Sequence, residues 1–230
     1  MKSVRSSTVD KEICMKDEFM NAMDFRHACK LFDDTKKMSD DDMYYILEAG
    51  RKSPSAFGME PWKFVVITDD KLKMKLKPAC RDQIQITSCS HLVIVLAGIE
   101  GVKLTSSDIR KRFLKKGIPE KKLAWYLEFY AKHSKEILNK DENIYKWTSE
   151  QTFIASANMM TAAAFLKIDS CPIEGFEKDQ VEEILKLDTT KFQVALVLPF
   201  GYRVNPQPKQ LRKPMQEIVQ FLNLDDLQNS

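Results

Sequence analysis

The chain has 230 residues, of which 43% are hydrophobic and 30% are charged, and its formal net charge is +3 at pH 7. This length accommodates a single domain with a substantial buried core. Because acidic and basic residues are interspersed and the net charge is small, we do not expect the clustered basic face that binds DNA or RNA.

Cysteine usage and the N-terminal segment bear on the cellular compartment. Five cysteines lie scattered through the chain without a C-x-x-C pair, namely Cys14, Cys29, Cys80, Cys89 and Cys171. Such a set is typical of reduced thiols in a cytosolic protein. The first residues lack an apolar run of signal-peptide length, and the most apolar helical stretch is too short to span a bilayer. We therefore expect a cytoplasmic protein without membrane contacts.

The N-terminal part of the chain predicts two helices separated by an extended basic segment. Residues 1 to 8 are expected to fray, and Asp10 to Met23 predicts the first helix. Phe25 to Phe32 alternates apolar and cationic side chains as a strand does. It is either a solvated basic strand or an anion site, and spacing alone favours the first. Ser39, followed by three acids, predicts the N-cap of the second helix.

A loop of small residues and a buried strand follow the second helix. Pro54 disfavours further helix, and the small residues after it allow a ligand to approach the backbone closely. Trp62 to Thr68 is rich in aromatic and β-branched residues and predicts a strand. Two continuous apolar runs, His91 to Gly98 and Phe192 to Pro199, predict strands that are covered on both faces.

The other segments read mostly as helices. Helical patterns cover Lys71 to Lys77, Ser107 to Lys116, Pro119 to Lys140, Phe153 to Leu166, Asp179 to Leu187 and Met215 to Leu222. Irregular segments are predicted at 81 to 90, 168 to 176 and in the proline-rich stretch 201 to 214. Strands alternating with long helical segments indicate an α+β domain, and no composition break marks a second one.

Two of these helices leave alternatives open. The helix from Pro119 carries two aromatic pairs at a spacing of four, Trp125 with Phe129 and Tyr126 with Tyr130. Such pairs pack in a core or form a lid over a planar ligand, and core packing is the commoner outcome. The alanine-rich helix from Phe153 is apolar nearly all round, so it must be buried at the centre of a domain or of a dimer.

Several chemistries have no motif in this sequence. There is no G-x-G-x-x-G, no G-x-x-x-x-G-K-[ST] and no G-x-S-x-G, so dinucleotide-fold, P-loop and hydrolase sites are not expected. His27, His91 and His133 have no partner at metal-ligand spacing, and we expect no metal site.

Four motifs, taken in order, resemble the FMN-dependent nitroreductase family, and in particular its oxygen-insensitive NAD(P)H nitroreductase group. They are Arg26-His27-Ala28-Cys29-Lys30, the loop Ser53 to Phe64, the turn Pro172 to Phe176, and Pro199 to Tyr202 with Arg212. The resemblance covers about residues 20 to 215. It implies a nitroreductase-like α+β fold, with a mixed, mostly antiparallel sheet flanked by helices, in an intertwined homodimer.

The resemblance also implies the organisation of the chain and its cofactor site. Residues 1 to 230 would form one domain, with 104 to 147 as a helical lid or insertion and 201 to 230 extending toward the partner subunit. The expected FMN-binding residues are Arg26, His27, Ala28, Lys30, Pro54, Ser55, Ala56, Gly58, Asp82, Gln85, Pro172, Ile173, Glu174, Gly175 and Arg212. No side chain is expected to be catalytic, because the flavin carries the chemistry.

Roles carry over by position from the family. Arg26 and Arg212 match phosphate-binding residues, and Lys30 matches the residue at the pyrimidine edge of the flavin. The loop from Pro54 to Gly58 matches one that reaches the flavin of the other subunit. Asp82 and Gln85 would lie near the flavin edge or ribityl chain. The turn at Glu174 and Gly175 would direct backbone N–H groups at flavin N5.

The implied activity is hydride transfer from NADPH or NADH to FMN, followed by two-electron reduction of a nitroaromatic, a quinone or a similar acceptor in a ping-pong cycle. Ala28, Gly58 and Glu60 replace the usual Ser, Asn and Gln of the family. Two alternatives remain: a flavin reductase or flavin-fragmenting member of the same superfamily, and a flavin-binding module without turnover.

Overall fold

The computed structural model describes residues 4–223, with side chains from residue 15 onward. The helices are α1 (Val4–Phe25), α2 (Asp40–Arg51), α3 (Asp70–Ala79), α4 (Gln85–Ser88), α5 (Ser107–Lys115), α6 (Glu120–His133), α7 (Asp141–Phe165), α8 (Lys178–Ile184) and α9 (Met215–Ile218). The strands are β1 (Trp62–Ile67), β2 (His91–Gly98), β3 (Asp169–Ser170) and β4 (Phe192–Gly201). The predicted α+β class and the three predicted strands are confirmed. The predicted burial of β1 is wrong, because β1 lies at the edge of the sheet and only its last residue, Ile67, is buried.

The strands form one sheet in the order β1-β2-β4-β3, and all neighbouring strands are antiparallel. An isolated parallel bridge joins Ala28 to Ser170 beside β3. The sheet is therefore mixed and mostly antiparallel, as expected. Strand β2 is buried along its whole length, which explains why its sequence shows no polar alternation.

Helices cover both faces of the sheet. Leu92 and Ile94 of β2 belong to a core cluster that also contains residues of α3 and α8. Val93 and Val95 face the other way, into a cluster with α2 and α7, because successive side chains of a strand alternate between faces. A third cluster, which includes Phe113 of α5, lies under the helices between β2 and α7.

Helix α2 is capped as its sequence predicts. The Ser39 hydroxyl accepts a hydrogen bond from the Asp42 N–H at 3.1 Å and donates one to the Asp42 carboxylate at 2.7 Å. Gly50 lets α2 pack closely on α7, since a Cβ there would lie 2.8 Å from the Met159 side chain. This close contact fixes α2 against α7, and the loop that follows α2 begins from there.

Some element boundaries differ from the predictions. Helix α7 begins at Asp141, well before the expected Phe153, and α6 ends at His133 instead of Lys140. Strand β3 and helix α4 occur in segments that were expected to be irregular. Both are too short to show a periodic pattern of apolar residues, so their sequence does not predict them.

The ends of the chain and the proline of α3 also differ. Helix α3 continues past Lys77 to Ala79, so Pro78 lies inside its last turn and does not end the helix at Lys77 as expected. Helix α1 begins at Val4, inside the segment expected to fray, and residues 1–3 lie outside the described part of the chain. Residues 224–230 of the expected C-terminal extension also lie outside it. Among the described helices none is both long and apolar enough to cross a membrane.

Candidate functional site

The basic segment after α1 is an extended strip attached to the edge of the sheet. The Cys29 N–H donates to the Ser170 carbonyl at 3.1 Å, and Phe32 forms a bridge with Arg203. Cys29 and Phe32 are buried, Arg26 is half-buried and Lys30 is exposed. The predicted extended conformation is confirmed in part, because Phe25 still belongs to α1 and the chain bends at Lys30. The cations of Arg26 and Lys30 are available to a ligand.

A buried ion pair holds the beginning of this strip in place. The Asp169 side chain, in a residue that is 4% exposed, contacts Arg203 through both oxygens, with Nη2 to Oδ1 at 2.6 Å and Nε to Oδ2 at 3.0 Å. Arg203 Nη2 also donates to the Phe25 carbonyl at 3.2 Å, and its guanidinium lies 4.1 Å from the centre of the Phe25 ring. Phe25 directly precedes Arg26, so this pair orients Arg26.

Asp169 and Arg203 were missed in the sequence. They lie on segments that are distant in the sequence, and no local pattern around either residue predicts an ion pair. His27 lies beside them, with Nδ1 3.6 Å from Asp169 Oδ1 and without a hydrogen-bond partner among the described residues. Burial, reinforced by the charge of Arg203, lowers the pKa of His27, so the ring is predominantly neutral at pH 7.

The C-terminal segment is bound against the same place. Gln210 Nε2 donates to the Asp24 carbonyl at 2.8 Å and to the Arg26 carbonyl at 2.6 Å, and Gln207 Nε2 donates to the Asp24 carbonyl at 2.7 Å. Arg212 follows two residues later, is exposed, and within the described residues contacts only the carbonyl of Leu211. Arg26 and Arg212 thus lie in one neighbourhood.

The turn after β3 and the loop after α3 contact each other. Ile173 pairs with Val197 of β4, and Gln83 Nε2 donates to the Gly175 carbonyl at 2.9 Å. In the described part of the chain the N–H groups of Glu174 and Gly175 donate no hydrogen bond. Two backbone donors are therefore free at this turn, and Asp82 lies in the loop that packs on it.

Cys171 connects this turn with the basic strip. Lys30 Nζ lies 4.0 Å from Cys171 Sγ. Burial raises the pKa of the Cys171 thiol, although Lys30 and Gln85 oppose this shift. The predicted residues of segments 26–30, 82–85, 172–175 and Arg212 are therefore brought to one edge of the sheet.

The loop after α2 lies elsewhere. The Ser55 hydroxyl accepts from the Glu60 N–H at 2.8 Å, the Ala56 N–H donates to Gln151 at 2.8 Å, and Gly58 has a φ of 57°. Trp62 of β1 aligns through β2 with Gln193 of β4, whereas Ser170 of β3 aligns with Phe200 of β4. The two residues are therefore separated by three strand spacings across the sheet, about 14 Å, and by seven residues along β4, about 24 Å. Trp62 follows the loop by four residues, and within the described residues no hydrogen bond joins Pro54, Ser55, Ala56 or Gly58 to the other predicted site residues.

The aromatic helix α6 divides between core and surface. Tyr130 is fully buried and donates to the Val102 carbonyl at 2.9 Å. Trp125 is 58% exposed and stacks on Phe129, with ring centres 5.4 Å apart. Phe57, in the loop after α2, contacts Phe129 and Tyr130 edge-on. Core packing is therefore right for one aromatic pair, and the lid stays a prediction for the exposed pair.

The edge formed by these segments suits a phosphorylated planar ligand. Arginine binds phosphate through paired hydrogen bonds, and both arginines here lack an ion pair within the described residues. The free donors at the 174–175 turn suit the polar edge of a ring. Among the described residues no cluster of His, Cys, Asp and Glu could hold a metal ion.

Comparison with known proteins identifies the family. The sequence model of the nitroreductase family matches residues 23–202. The chain is 40% identical over 219 residues to YfkO of Bacillus subtilis, named as a candidate NAD(P)H nitroreductase, covering 90% of this chain and 99% of that protein. It is 39% identical over 222 residues to SH0546 of Staphylococcus haemolyticus, named in the same way, with coverage of 90% and 99%.

Solved structures show the same fold. A nitroreductase-like protein from Streptococcus mutans superimposes with a TM-score of 0.81 at 21% identity, covering 91% of this chain and 100% of that chain. A candidate nitroreductase from Exiguobacterium sibiricum, solved in complex with FMN, has a TM-score of 0.75 at 23% identity, covering 89% and 97%. The chain belongs to the nitroreductase family.

Proposed function

We propose that the protein is an FMN-dependent NAD(P)H oxidoreductase that reduces nitroaromatics, quinones or similar acceptors. One observation carries the proposal: Arg26 and Arg212 lie at one end of a sheet edge whose other end offers the free N–H groups of Glu174 and Gly175. This matches a cofactor with a phosphate at one end and a polar ring at the other. The names of relatives and the FMN complex of a structural neighbour support it.

Each residue then has a physical task. FMN, when bound, supplies two-electron hydride chemistry. Arg26 and Arg212 hold the phosphate through charge-assisted hydrogen bonds. Lys30 places a positive charge beside the pyrimidine edge and stabilises negative charge that develops there. The N–H groups of Glu174 and Gly175 orient the ring edge. No side chain acts as a nucleophile or a general base.

The proposal includes a homodimer. The strand register separates Trp62, just after the loop from Pro54 to Gly58, from Ser170 at the rest of the proposed site, so we assign this loop to the site of a second copy. Large apolar side chains are exposed on α2, α7 and the C-terminal segment, which is typical of an interface: Tyr44, Phe153, Ile154, Phe165, Leu211, Phe221 and Leu222. The segment from 201 onward would extend over the partner subunit.

The purified protein should be yellow from FMN that is bound without a covalent bond. Adding NADPH or NADH without oxygen should bleach the flavin absorbance, and a nitroaromatic should restore it, because both substrates use the same flavin in turn. Absorbance spectroscopy on the FMN-supplemented protein measures this. Absence of bound flavin would refute the proposal. Consumption of free FMN without nitro turnover would indicate a flavin reductase, and bound flavin that never bleaches would indicate a binding module.

Shared sites should allow two inactive chains to complement each other. Arg26→Ala removes a phosphate ligand, and Pro54→Asp places a carboxylate against the flavin, where an unpaired charge is costly. A heterodimer with one chain of each kind contains one site with both changes and one intact site. Isolated through two different affinity tags, it should bind about one FMN per dimer, as two-fold symmetry requires.

Each homodimeric variant is the control and should bind FMN at least about tenfold more weakly than the wild type while keeping the wild-type far-ultraviolet circular dichroism. If the heterodimer binds no more FMN than the two homodimers, the loop from Pro54 to Gly58 does not serve the partner's site.

A further inference from the structure

A cleft outside the proposed flavin site lies beside the loop after α2. Its volume is about 410 Å³, within the range of small-molecule sites. Two half-buried aromatic side chains, Trp62 and Phe192, line it together with Gly98 and Gly101. Lys63 Nζ lies 5.5 Å from the centre of the Phe192 ring. The cleft therefore offers aromatic surface on which a flat ring can stack.

The rim of the cleft has an excess of cations: two carboxylates, Glu60 and Asp108, line it beside three basic side chains. Residues 110–116 contain five basic residues in seven, and three of them line the cleft: Lys111, Arg112 and Lys115. The apolar residues Ile109 and Phe113 are buried in the core. They anchor α5, so the position of its basic residues at the cleft is set by packing.

Of these three cations, only Arg112 forms a close ion pair within the described residues. Arg112 contacts Glu60 through Nη1 at 3.0 Å. Lys111 lies 3.5 Å from Asp108, but both side chains are more than half exposed and such pairs contribute little. Lys115 has no ion pair within the described residues. An anionic ligand would therefore displace no strong internal partner.

Lys116, the residue after Lys115, has the positive charge of Arg112 close to its own. Lys116 Nζ donates to the Phe57 carbonyl, in the loop that we assign to the partner's flavin. Burial, and then the charge of Arg112, lower the pKa of Lys116. A bound anion would relieve this repulsion. The contact also joins the basic helix to the loop from Pro54 to Gly58.

We propose that this cleft binds the phosphorylated adenosine end of NADPH and makes NADPH the preferred hydride donor. The adenine would stack on Trp62 and Phe192, and the 2′-phosphate would bind Lys111 and Lys115. The inference rests on the proposed function, because the adjoining loop brings the cleft next to the partner's flavin, on which the nicotinamide must lie. NADH has no 2′-phosphate and cannot use these lysines.

A binding experiment tests the cleft without turnover. Calorimetry with adenosine 2′,5′-bisphosphate and with adenosine 5′-monophosphate should show the bisphosphate binding about tenfold more tightly to the wild type, the value of a charge-assisted hydrogen bond. Lys111→Gln with Lys115→Gln should abolish this difference. The control, Lys71→Gln with Lys75→Gln on α3, removes equal charge elsewhere and should keep it. Equal binding of both ligands to the wild type would overturn the proposal.

Steady-state kinetics give the second readout. In the Lys111→Gln, Lys115→Gln variant, kcat/KM for NADPH should fall about tenfold while that for NADH stays within about twofold, because only the 2′-phosphate contact is lost. An equal fall for both nicotinamides would overturn the specificity role. If the protein proves to hold no FMN, the proposed function fails, whereas the calorimetry still decides whether the cleft recognises the 2′-phosphate.

Discussion

Replacing both Arg26 and Arg212 by alanine is expected to abolish retention of FMN. Each charge-assisted hydrogen bond to the phosphate is worth about 1.5–3 kcal/mol, so the dissociation constant should rise about 10²- to 10⁴-fold in the double variant. Either single variant should lose about 10- to 100-fold. The fold should persist, since Arg26 is only half-buried and Arg212 is exposed. Titration of FMN fluorescence measures the affinity.

Arg110→Ala is the matched control for this experiment. Arg110 is an exposed arginine of α5 that pairs with Glu120, and it is not among the residues of the proposed flavin site. Its loss should leave FMN affinity unchanged. Added salt should weaken FMN binding more in the wild type than in the double variant, because screening acts on the charges that remain. Wild-type affinity in either single variant would show that its phosphate assignment is wrong.

Asp169→Asn is expected to lower the free energy of unfolding by about 3–5 kcal/mol. The amide cannot compensate the charge of Arg203, and removing one partner of a buried ion pair leaves the other charge uncompensated. Urea unfolding of the FMN-free protein at pH 7 measures the change. FMN affinity should fall as well, because the Arg203 contact with Phe25 sets the position of Arg26.

Two variants show whether the buried charge is the cause. Glu120→Gln breaks an exposed pair with Arg110 and should cost less than about 1 kcal/mol. In an Arg203→Met background, Asp169→Asn should cost much less than alone, since no arginine is left without its partner. If Asp169→Asn costs no more than Glu120→Gln, the pair does not hold the basic strip in place.

The sequence predicts those features of the fold that depend on residues close together in the chain. Ser39 caps α2 through a residue three positions away, and the long apolar runs of β2 and β4 lie on strands covered on both faces. Strand β3 was not readable, because two residues carry no periodicity and become a strand only by pairing with Phe200 and Gly201. Whether such a short segment becomes a strand depends on its pairing with a strand that is distant in the sequence.

The same division holds for the site. The order of four short motifs was sufficient to predict the family and to name the residues expected at an FMN site, because each motif lies on one continuous segment. The pair of Asp169 and Arg203 lies on two segments, so only the folded chain reveals it. The sheet order also places the loop from Pro54 to Gly58 far from the basic strip. Such separation follows from strand pairing between distant segments, and it is the reason why we assign this loop to the site of a second copy.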